Sequence, residues 1–267
     1  MSKIVISAAS DTGTVRANNE DCLLVAGMVE RDGPIHLEIS TDSLFFTRYG
    51  LLCAVADGMG AHAGGEFASR YVMERLVRDA LHIPLASGEE TARAFLRNTI
   101  LAVHKELNDQ GELNPSLAGM GSTLTGVLLS PAHNFFFHVG DSRLYRFREG
   151  LLQRVTRDHS PNELLAEDES AQRKTGGLVN SVGGGAGFDC RPEIENGLSF
   201  VAGDTLMLCS DGLSDAGGRD PLRDVLRRNN TLAEKVRGLI TAARESGATD
   251  NITVVVIEYR EDPVHGR

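Results

Sequence analysis

The sequence lacks three things: a run of basic residues, a long apolar stretch and a clustered set of cysteines. Lys and Arg number 27 against 37 Asp and Glu, which gives a formal net charge of −10. An acidic chain without a basic patch is a poor partner for nucleic acid, so we expect none. No apolar stretch approaches the ~20 residues that span a bilayer, and the first apolar run is too short for a signal peptide. We therefore expect a cytoplasmic protein with no membrane partner.

The four cysteines form neither a C-x-x-C pair nor a zinc-ligand spacing; they are Cys22, Cys53, Cys190 and Cys209. Cys53 and Cys209 lie inside apolar runs, where cysteine behaves as a small hydrophobic residue. Scattered, unpaired cysteine is typical of a reducing compartment, which agrees with a cytoplasmic location.

Apolar periodicity predicts strands in adjacent groups and three long helices. One helix is expected over 65–81, and a second opens at Ser87 in a capping box with Glu90. A third opens at Thr231, with Glu234 in the capping-box position, and closes at 247. A loop is expected over 108–121. Because the strands and helices do not alternate as β-α-β units, the pattern predicts an α+β fold with largely antiparallel sheets. Without a repeat or a long linker, a single domain over 1–267 is the simplest organisation.

Two segments stand outside this pattern. Residues 27–50 are predicted to form a hairpin-like excursion with its turn at 31–34, to which no role can be assigned. Residues 160–189 are polar and glycine-rich, and we expect a surface excursion there.

Four Asp residues stand where predicted strands end or begin. Asp57 follows LLCAVA, Asp141 follows FFFHVG, Asp211 follows TLMLCS, and Asp250 precedes ITVVVIEY by one residue. Oxygen ligands of this kind suit the hard cations Mg²⁺ and Mn²⁺, and gathered carboxylates repel one another unless a cation neutralises them. Asp-Gly is also a common turn dipeptide, so on these residues alone ordinary turns remain an alternative.

Seven motifs occur in order: SDTGTVRANNED, VADGMGAHAGGE, MGSTLTG, HVGDSRLYR, TRDHS, LCSDGLSD and ATDNITVVV. In these motifs the chain resembles the bacterial branch of the metal-dependent serine/threonine protein phosphatases of type 2C, over about residues 7 to 258. The resemblance implies a four-layer αββα sandwich, with two mainly antiparallel β-sheets flanked by helices. It also implies two Mn²⁺ or Mg²⁺ ions per site and a third, weaker ion. The excursion at 160–189 corresponds to the family's flap and is short here.

The resemblance assigns the metal ligands position by position. Asp57 would bridge two ions, and Gly58 would add its backbone carbonyl to one of them. Asp211 and Asp250 would ligate the other ion. Asp141 would hold the third ion together with Asp211.

Five further positions match residues that support the reaction. Glu20 and Asp21 would reach the ions through water, and Asn251 would steady the last metal-binding loop. Arg16 would grip the substrate phosphate with its two-pronged guanidinium. His62 would donate a proton to the leaving oxygen or only organise metal-bound water.

Two other histidines, and one difference from the eukaryotic branch of the family, bear on the identity of the proton donor. The eukaryotic branch has His two residues after the bridging Asp, where this chain has Met59. His138 lies within an aromatic strand, so we expect it in the core, and His159 is expected to shape the loop beneath the flap.

The main functional hypothesis is a phosphoserine/phosphothreonine phosphatase that acts on phosphorylated proteins and opposes a bacterial Ser/Thr kinase. An alternative is a catalytically weak pseudophosphatase that serves as a phosphoprotein- or kinase-binding adaptor. A third is a partner-switching phosphatase for one anti-sigma-type regulator, which usually carries an attached sensor domain. The intact set of Asp57, Asp211, Asp250 and Arg16 favours the first.

Overall fold

The structure is a computed structural model that describes residues 2–60, 64–161, 163, 177–185 and 188–261. Every strand pairing within these ranges is antiparallel. The first sheet has six strands: β1 Ser2–Asp11, β4 Gly33–Ser40, β9 Arg143–Arg148, β10 Leu151–Arg154, β13 Thr205–Cys209 and β14 Ile252–Glu261. They lie in the order β10-β9-β13-β14-β1-β4, which places the first and last strands of the chain, β1 and β14, side by side in the interior of the sheet.

The second sheet has eight strands, three of them only two or three residues long. They are β2 Asp21–Val25, β3 Met28–Glu30, β5 Leu51–Met59, β6 Gly121–Ser122, β7 Leu124–Leu129, β8 Asn134–Val139, β11 Val182–Gly183 and β12 Glu193–Asn196. The main path is β11-β6-β5-β7-β8-β12, and β2 pairs with both β5 and β3.

Six α-helices are described, and they cover the outer faces of the two sheets or join their strands. They are α1 Leu44–Tyr49, α2 Gly64–Ala80, α3 Glu89–Leu113, α4 Asp211–Ser214, α5 Arg219–Arg227 and α6 Leu232–Glu245. None of the helices in the described ranges has both the length and the apolar content needed to cross a bilayer.

Three apolar cores separate four layers. The middle core lies between the sheets and includes Ile6, Leu23 and Val255. On the outer face of the second sheet, residues of α2 and α3 pack against Leu24 and its neighbours. On the outer face of the first sheet, residues of α5 and α6 pack against Val254 and its neighbours. Helix, sheet, sheet and helix therefore follow one another, which confirms the predicted α+β sandwich.

The strands read as continuous apolar runs because both of their faces are buried. In β2, Cys22 and Leu24 face the helices while Leu23 and Val25 face the other sheet. Successive side chains of a strand point to opposite faces, so each face needs its own apolar set. The central strands of both sheets therefore carry apolar residues at nearly every position.

The predicted hairpin over 27–50 is wrong. β3 pairs with β2, whereas β4 pairs with β1 in the other sheet, so the chain crosses between sheets near Arg31. The true hairpin is β2–β3, and its two-residue turn has positive φ angles of 50° at Ala26 and 91° at Gly27. Such turns match the twist of antiparallel strands. The sequence Ala-Gly lacks the usual Asn or Asp, which concealed the turn.

The start and end of the second predicted helix also need correction. Ser87 ends a 3-10 turn, and Gly88 is the N-cap of α3 without any side-chain hydrogen bond, so no capping box forms there. The helix continues to Leu113, into the segment 108–121 that had been expected to be a loop. The capping box at Thr231 is confirmed, since Thr231 and Glu234 cap each other at the start of α6.

Candidate metal centre

Asp21 and Asp57 lie directly opposite each other on the neighbouring strands β2 and β5. Residues paired in this way have Cα atoms about 4.5–5.5 Å apart and side chains on the same face. Like charges directly opposite are normally destabilising. Asp57 lies inside β5 and not after its end, because Gly58 and Met59 continue the strand by pairing with β6.

Asp211 and Asp250 come to the same edge because β13 and β14 are paired. Cys209 is opposite Val254, so the end of β13 and the start of β14 lie together. Asp211 begins α4, and Asp250 lies two residues before β14. A pocket of about 230 Å³ beside them is lined by both residues.

Ser210 joins the two sheets at this point. Its hydroxyl donates a hydrogen bond of 2.7 Å to Asp21 Oδ2, and it accepts one of 3.0 Å from the backbone N–H of Thr253. Ser210 and Asp21 are almost completely buried. The carboxylate of the second sheet is thereby fixed to the strand ends of the first sheet.

Asp141 follows β8, and a hydroxyl pair connects its loop to Asp57. The hydroxyl groups of Thr123 and Ser142 are 2.7 Å apart. Thr123 Oγ1 also accepts a hydrogen bond of 2.9 Å from the backbone N–H of Asp57. The turn that carries Asp141 is therefore held at a fixed position relative to Asp57.

Burial and mutual repulsion make the charged forms of these carboxylates unfavourable. Burial raises the pKa of Asp57 well above its usual value, and the charges of Asp21, Asp211, Asp141 and Asp250 raise it further. Burial raises the pKa of Asp21 and of Asp141 to about 7 each. The pKa of Asp211 is also raised, first by burial and then by Asp250. The five carboxylates therefore form one electrostatic cluster.

Two buried oxygen atoms of this cluster have no hydrogen-bond partner. They are Oδ1 of Asp21 and Oδ1 of Asp211. A buried polar atom without a partner is costly, and a carboxylate oxygen can be satisfied by a cation as well as by a donor. Within the described ranges, no three Asp, Glu, His or Cys side chains form a complete metal-binding set. The donor chemistry suits a hard divalent cation, and water and backbone carbonyls would have to complete its shell.

Arg16 reaches the same edge and pairs with Asp250. Its Nη2 lies 2.7 Å from Asp250 Oδ2, and 52% of its side chain is exposed. This contact raises the pKa of the Arg16 guanidinium. The loop before it approaches closely, because a Cβ on Gly13 would lie 2.3 Å from the carbonyl oxygen of Asp250. Gly13 has φ +79°, so the position requires glycine for both reasons.

Asn251 connects three parts of the site by hydrogen bonds. Its Oδ1 accepts from the backbone N–H of Glu20 at 2.8 Å, and its Nδ2 donates to the carbonyls of Thr12 and Asn18 at 2.9 Å each. The loop that carries Arg16 and Glu20 is thus held against the start of β14.

Gly58 lies where two backbone segments meet. Its N–H donates to the carbonyl of Glu20 at 3.1 Å. A Cβ at this position would lie 2.0 Å from the carbonyl oxygen of Gly65, in the first turn of α2. Only glycine allows this approach, which brings the N-terminus of α2 beside the carboxylate cluster.

The family assignment follows from comparison with known proteins. The family model for Protein phosphatase 2C matches residues 39–253, most of the chain. The chain belongs to the protein phosphatase 2C family. It is an enzyme of the bacterial serine/threonine protein phosphatase type. Phosphoproteins are the substrate class of this family, and divalent metal is its cofactor.

Known relatives of the phosphatase agree with this assignment. It is 34% identical over 214 residues to the serine/threonine phosphatase stp of Listeria monocytogenes, which covers 76% of this chain and 82% of that protein. A serine/threonine phosphatase from S. agalactiae has the same fold, with a TM-score of 0.79 and 28% identity, and the match covers 97% of this chain and 100% of that chain. The catalytic domain of the phosphatase PstP, solved in complex with two manganese ions, matches at 30% identity and a TM-score of 0.72 over 98% and 100% of the two chains.

Three histidines of the phosphatase were singled out from the sequence. His62 lies outside the described residues. His138 is a core residue, as predicted: it is fully buried between Thr125 and the carbonyl of Arg157, at 2.8 Å and 2.7 Å. His159 accepts hydrogen bonds from the backbone N–H of Gly140 and the side chain of Asn180, and it therefore connects the turn before Asp141 to the base of the flap.

The sequence reasoning missed the hydroxyl groups that support the carboxylates. Ser210 lies within the motif LCSDGLSD and Thr123 within MGSTLTG, yet serine and threonine give no signal of this role on their own. Thr123 offered no signal by its place either, since its contact with Asp57 joins residues far apart in the chain. For Ser210 the signal available was its place, because it lies between a strand end and the predicted ligand Asp211. A small hydroxyl at such a position is a reasonable candidate for a hydrogen bond to the ligand.

Proposed function

We propose that the chain hydrolyses phosphoserine and phosphothreonine in proteins at the carboxylate cluster, with two bound Mn²⁺ or Mg²⁺ ions. The observation that carries this proposal is the gathering of five carboxylates from separate segments at one edge. Two of their buried oxygens, on Asp21 and Asp211, lack a partner. A site of this kind is stable as a charged cluster only when cations occupy it.

The proposed ligands follow from their positions at this edge. Asp57 would bridge the two ions, the carbonyl of Gly58 would complete one shell, and Asp211 and Asp250 would ligate the other ion. Asp141 would hold a third ion together with Asp211. When bound, a pair of such ions supplies a hydroxide at neutral pH by lowering the pKa of water. Glu20 and Asp21 would orient water on these ions through hydrogen bonds.

Arg16 is the proposed phosphate-binding residue. Its guanidinium lies at the mouth of the site, and about half of the side chain is exposed, so it can turn towards a ligand. A guanidinium can contact two phosphate oxygens at once, which fixes the orientation of the ester. The pairing with Asp250 keeps Arg16 beside the cluster until substrate arrives. Proton donation by His62 remains a prediction.

Several wider features belong to the same proposal. The single catalytic domain over 1–267 would carry the whole reaction in the cytoplasm, against a bacterial Ser/Thr kinase. We propose no part for nucleic acid or membrane, since the net charge of −10 disfavours both anionic surfaces. Active-site recognition would rest on the phosphate, so more than one phosphoprotein can be a substrate.

The test is hydrolysis of p-nitrophenyl phosphate and of a phosphothreonine peptide with Mn²⁺, with and without a chelator. The wild type is expected to turn over both substrates only with metal. Asp211→Asn is expected to lose at least ~100-fold in kcat/KM, because it removes a charged ligand. Asp224→Asn, an exposed carboxylate on α5, is the matched control and should retain full activity. If the wild type hydrolyses neither substrate, whether or not Mn²⁺ is present, the result would favour the adaptor hypothesis.

A further inference from the structure

One side chain of the segment 27–50, that of Arg31, contacts residues beside the candidate metal centre. Arg31 follows β3, just where the chain leaves the second sheet for the first. Its side chain is largely buried, with 19% exposed. It turns back towards the loop that carries Glu20 and Asp21, and it makes hydrogen bonds to two separate segments.

The first contact is reciprocal and involves Asn19. Arg31 Nη2 donates to the backbone carbonyl of Asn19, and Asn19 Nδ2 donates to the backbone carbonyl of Arg31. Asn19 is itself buried, and its side chain also accepts from the N–H of Asp21 at 3.1 Å and donates to Ser10 at 2.8 Å. Arg31 thus closes a hydrogen-bonded ring around the residue just before the two site carboxylates.

The second contact is with α2. Arg31 Nη1 lies 2.5 Å from Oε1 of Glu66, in the first turn of that helix. The same turn touches the site, since a Cβ on Gly65 would lie 2.9 Å from both Glu20 Oε2 and the carbonyl of Gly58. One guanidinium therefore holds the 19–21 loop and the N-terminus of α2 in a fixed relation, with Gly58 between them.

We propose that Arg31 is a positioning residue of the metal centre, which fixes the Asn19–Asp21 loop against α2 so that Glu20 and Asp21 face the cations. This role rests on the proposed metal-dependent function. It acts through Asn19 and Glu66, and Arg31 itself touches neither metal nor substrate.

The direction in which Mn²⁺ affinity changes when Arg31 is removed distinguishes a positioning role from a purely electrostatic one. Burial raises the pKa of Glu20, and the positive charge of Arg31 is close enough to oppose that rise. By charge alone, its removal would make a nearby cation site more attractive to Mn²⁺. Loss of positioning predicts the opposite, since partners that orient metal ligands typically contribute about 10–100-fold to metal affinity.

The experiment measures the Mn²⁺ dissociation constant by calorimetry on folded, metal-free protein, for the wild type, Arg31→Gln, Arg31→Lys and Arg48→Gln. Arg31→Gln is expected to bind Mn²⁺ about 10–100-fold more weakly. Arg31→Lys keeps the charge but not the two-pronged donor, so it should show a smaller, measurable loss. Arg48 lies exposed in the same segment, over the Tyr49 ring, and Arg48→Gln should bind like the wild type.

A second readout is the Mn²⁺ concentration for half-maximal activity. It should rise in Arg31→Gln, while kcat at saturating Mn²⁺ falls much less. The inference is overturned if Arg31→Gln binds Mn²⁺ as tightly as the wild type or more tightly. If Arg31→Gln does not fold, the inference is overturned when Arg31→Lys binds Mn²⁺ with wild-type affinity. A wild type that does not bind Mn²⁺ would overturn the proposed metal centre and the role of Arg31 with it.

Discussion

Removal of metal should destabilise the protein more at high pH than at low pH. The perturbation is chelation of divalent cations, followed by thermal unfolding at several pH values between 5 and 8. Without cations, the pKa values of Asp21 and Asp141 are each about 7, against an ordinary value near 3.8. The folded metal-free state therefore binds more protons than the unfolded state over this interval.

The sign follows from linkage between protonation and folding. Where the folded state binds more protons, the free energy of unfolding falls as pH rises. For one carboxyl group, a pKa of about 7 in place of about 3.8 corresponds to about 4 kcal/mol at pH 8 and to about 2 kcal/mol at pH 5. Because 1 kcal/mol shifts Tm by about 2 °C in a chain of this length, one group accounts for about 8 °C.

Cations should offset this repulsion. We expect the difference in Tm between Mn²⁺-loaded and chelated protein to exceed about 8 °C at pH 8 and to be about half as large at pH 5. Differential scanning fluorimetry measures it directly. As a control, Asp21→Asn should flatten the decline in Tm of the chelated protein with pH, because it removes one of the carboxyl groups with a raised pKa. A metal-induced shift that is the same at pH 5 and pH 8 would refute the reasoning.

Three substitutions test the packing of the site and of the helix layer. Ser210→Ala should cost about 2–4 kcal/mol in urea unfolding, because Asp21 and the Thr253 N–H both lose a buried partner; less than about 0.5 kcal/mol would contradict this. Gly58→Ala should prevent native folding or abolish activity, since its Cβ would lie 2.0 Å from a backbone oxygen, and normal circular dichroism with full activity would count against it. Arg75 donates two hydrogen bonds to Glu106 and a third to Asp79, so Arg75→Ala should lower the free energy of unfolding by about 3 kcal/mol. As a control, Lys105→Ala breaks the exposed ion pair with Asp109 and should cost under about 1 kcal/mol by the same measurement.

The α+β class with antiparallel sheets could be predicted from local patterns, whereas the four-layer arrangement was implied by the family resemblance. Continuous apolar runs mark strands buried on both faces, and helical spacing marks α2, α3 and α6. The errors fell where the local signal was weak. Gly88 caps α3 although Ser87 offered a better side chain, and the Ala26-Gly27 turn lacked the usual residues. The strand β10 was missed because its four residues, LLQR, carry little pattern.

The candidate site could be predicted only as a set of residue types. Asp57, Asp141, Asp211 and Asp250 were recognisable by their place at strand ends and by motif. Their convergence was expected only through the family resemblance, because the residue pattern does not show which strands become neighbours. The pairing of Asp21 with Asp57 is a matter of register, and a shift of one residue would turn Asp21 to the opposite face.

The amino-acid sequence by itself determined the strands, the three long helices, the acidic residues at the strand ends and the family to which they point, because each of these is written within a few neighbouring residues. Only the tertiary structure decided that β3 and β4 belong to different sheets, that Ser210 holds Asp21, and that Arg31 connects the 19–21 loop to Glu66. Each of these contacts joins residues far apart in the chain or in different sheets. Local periodicity cannot encode such contacts, since they arise only when the sheets and helices pack against one another.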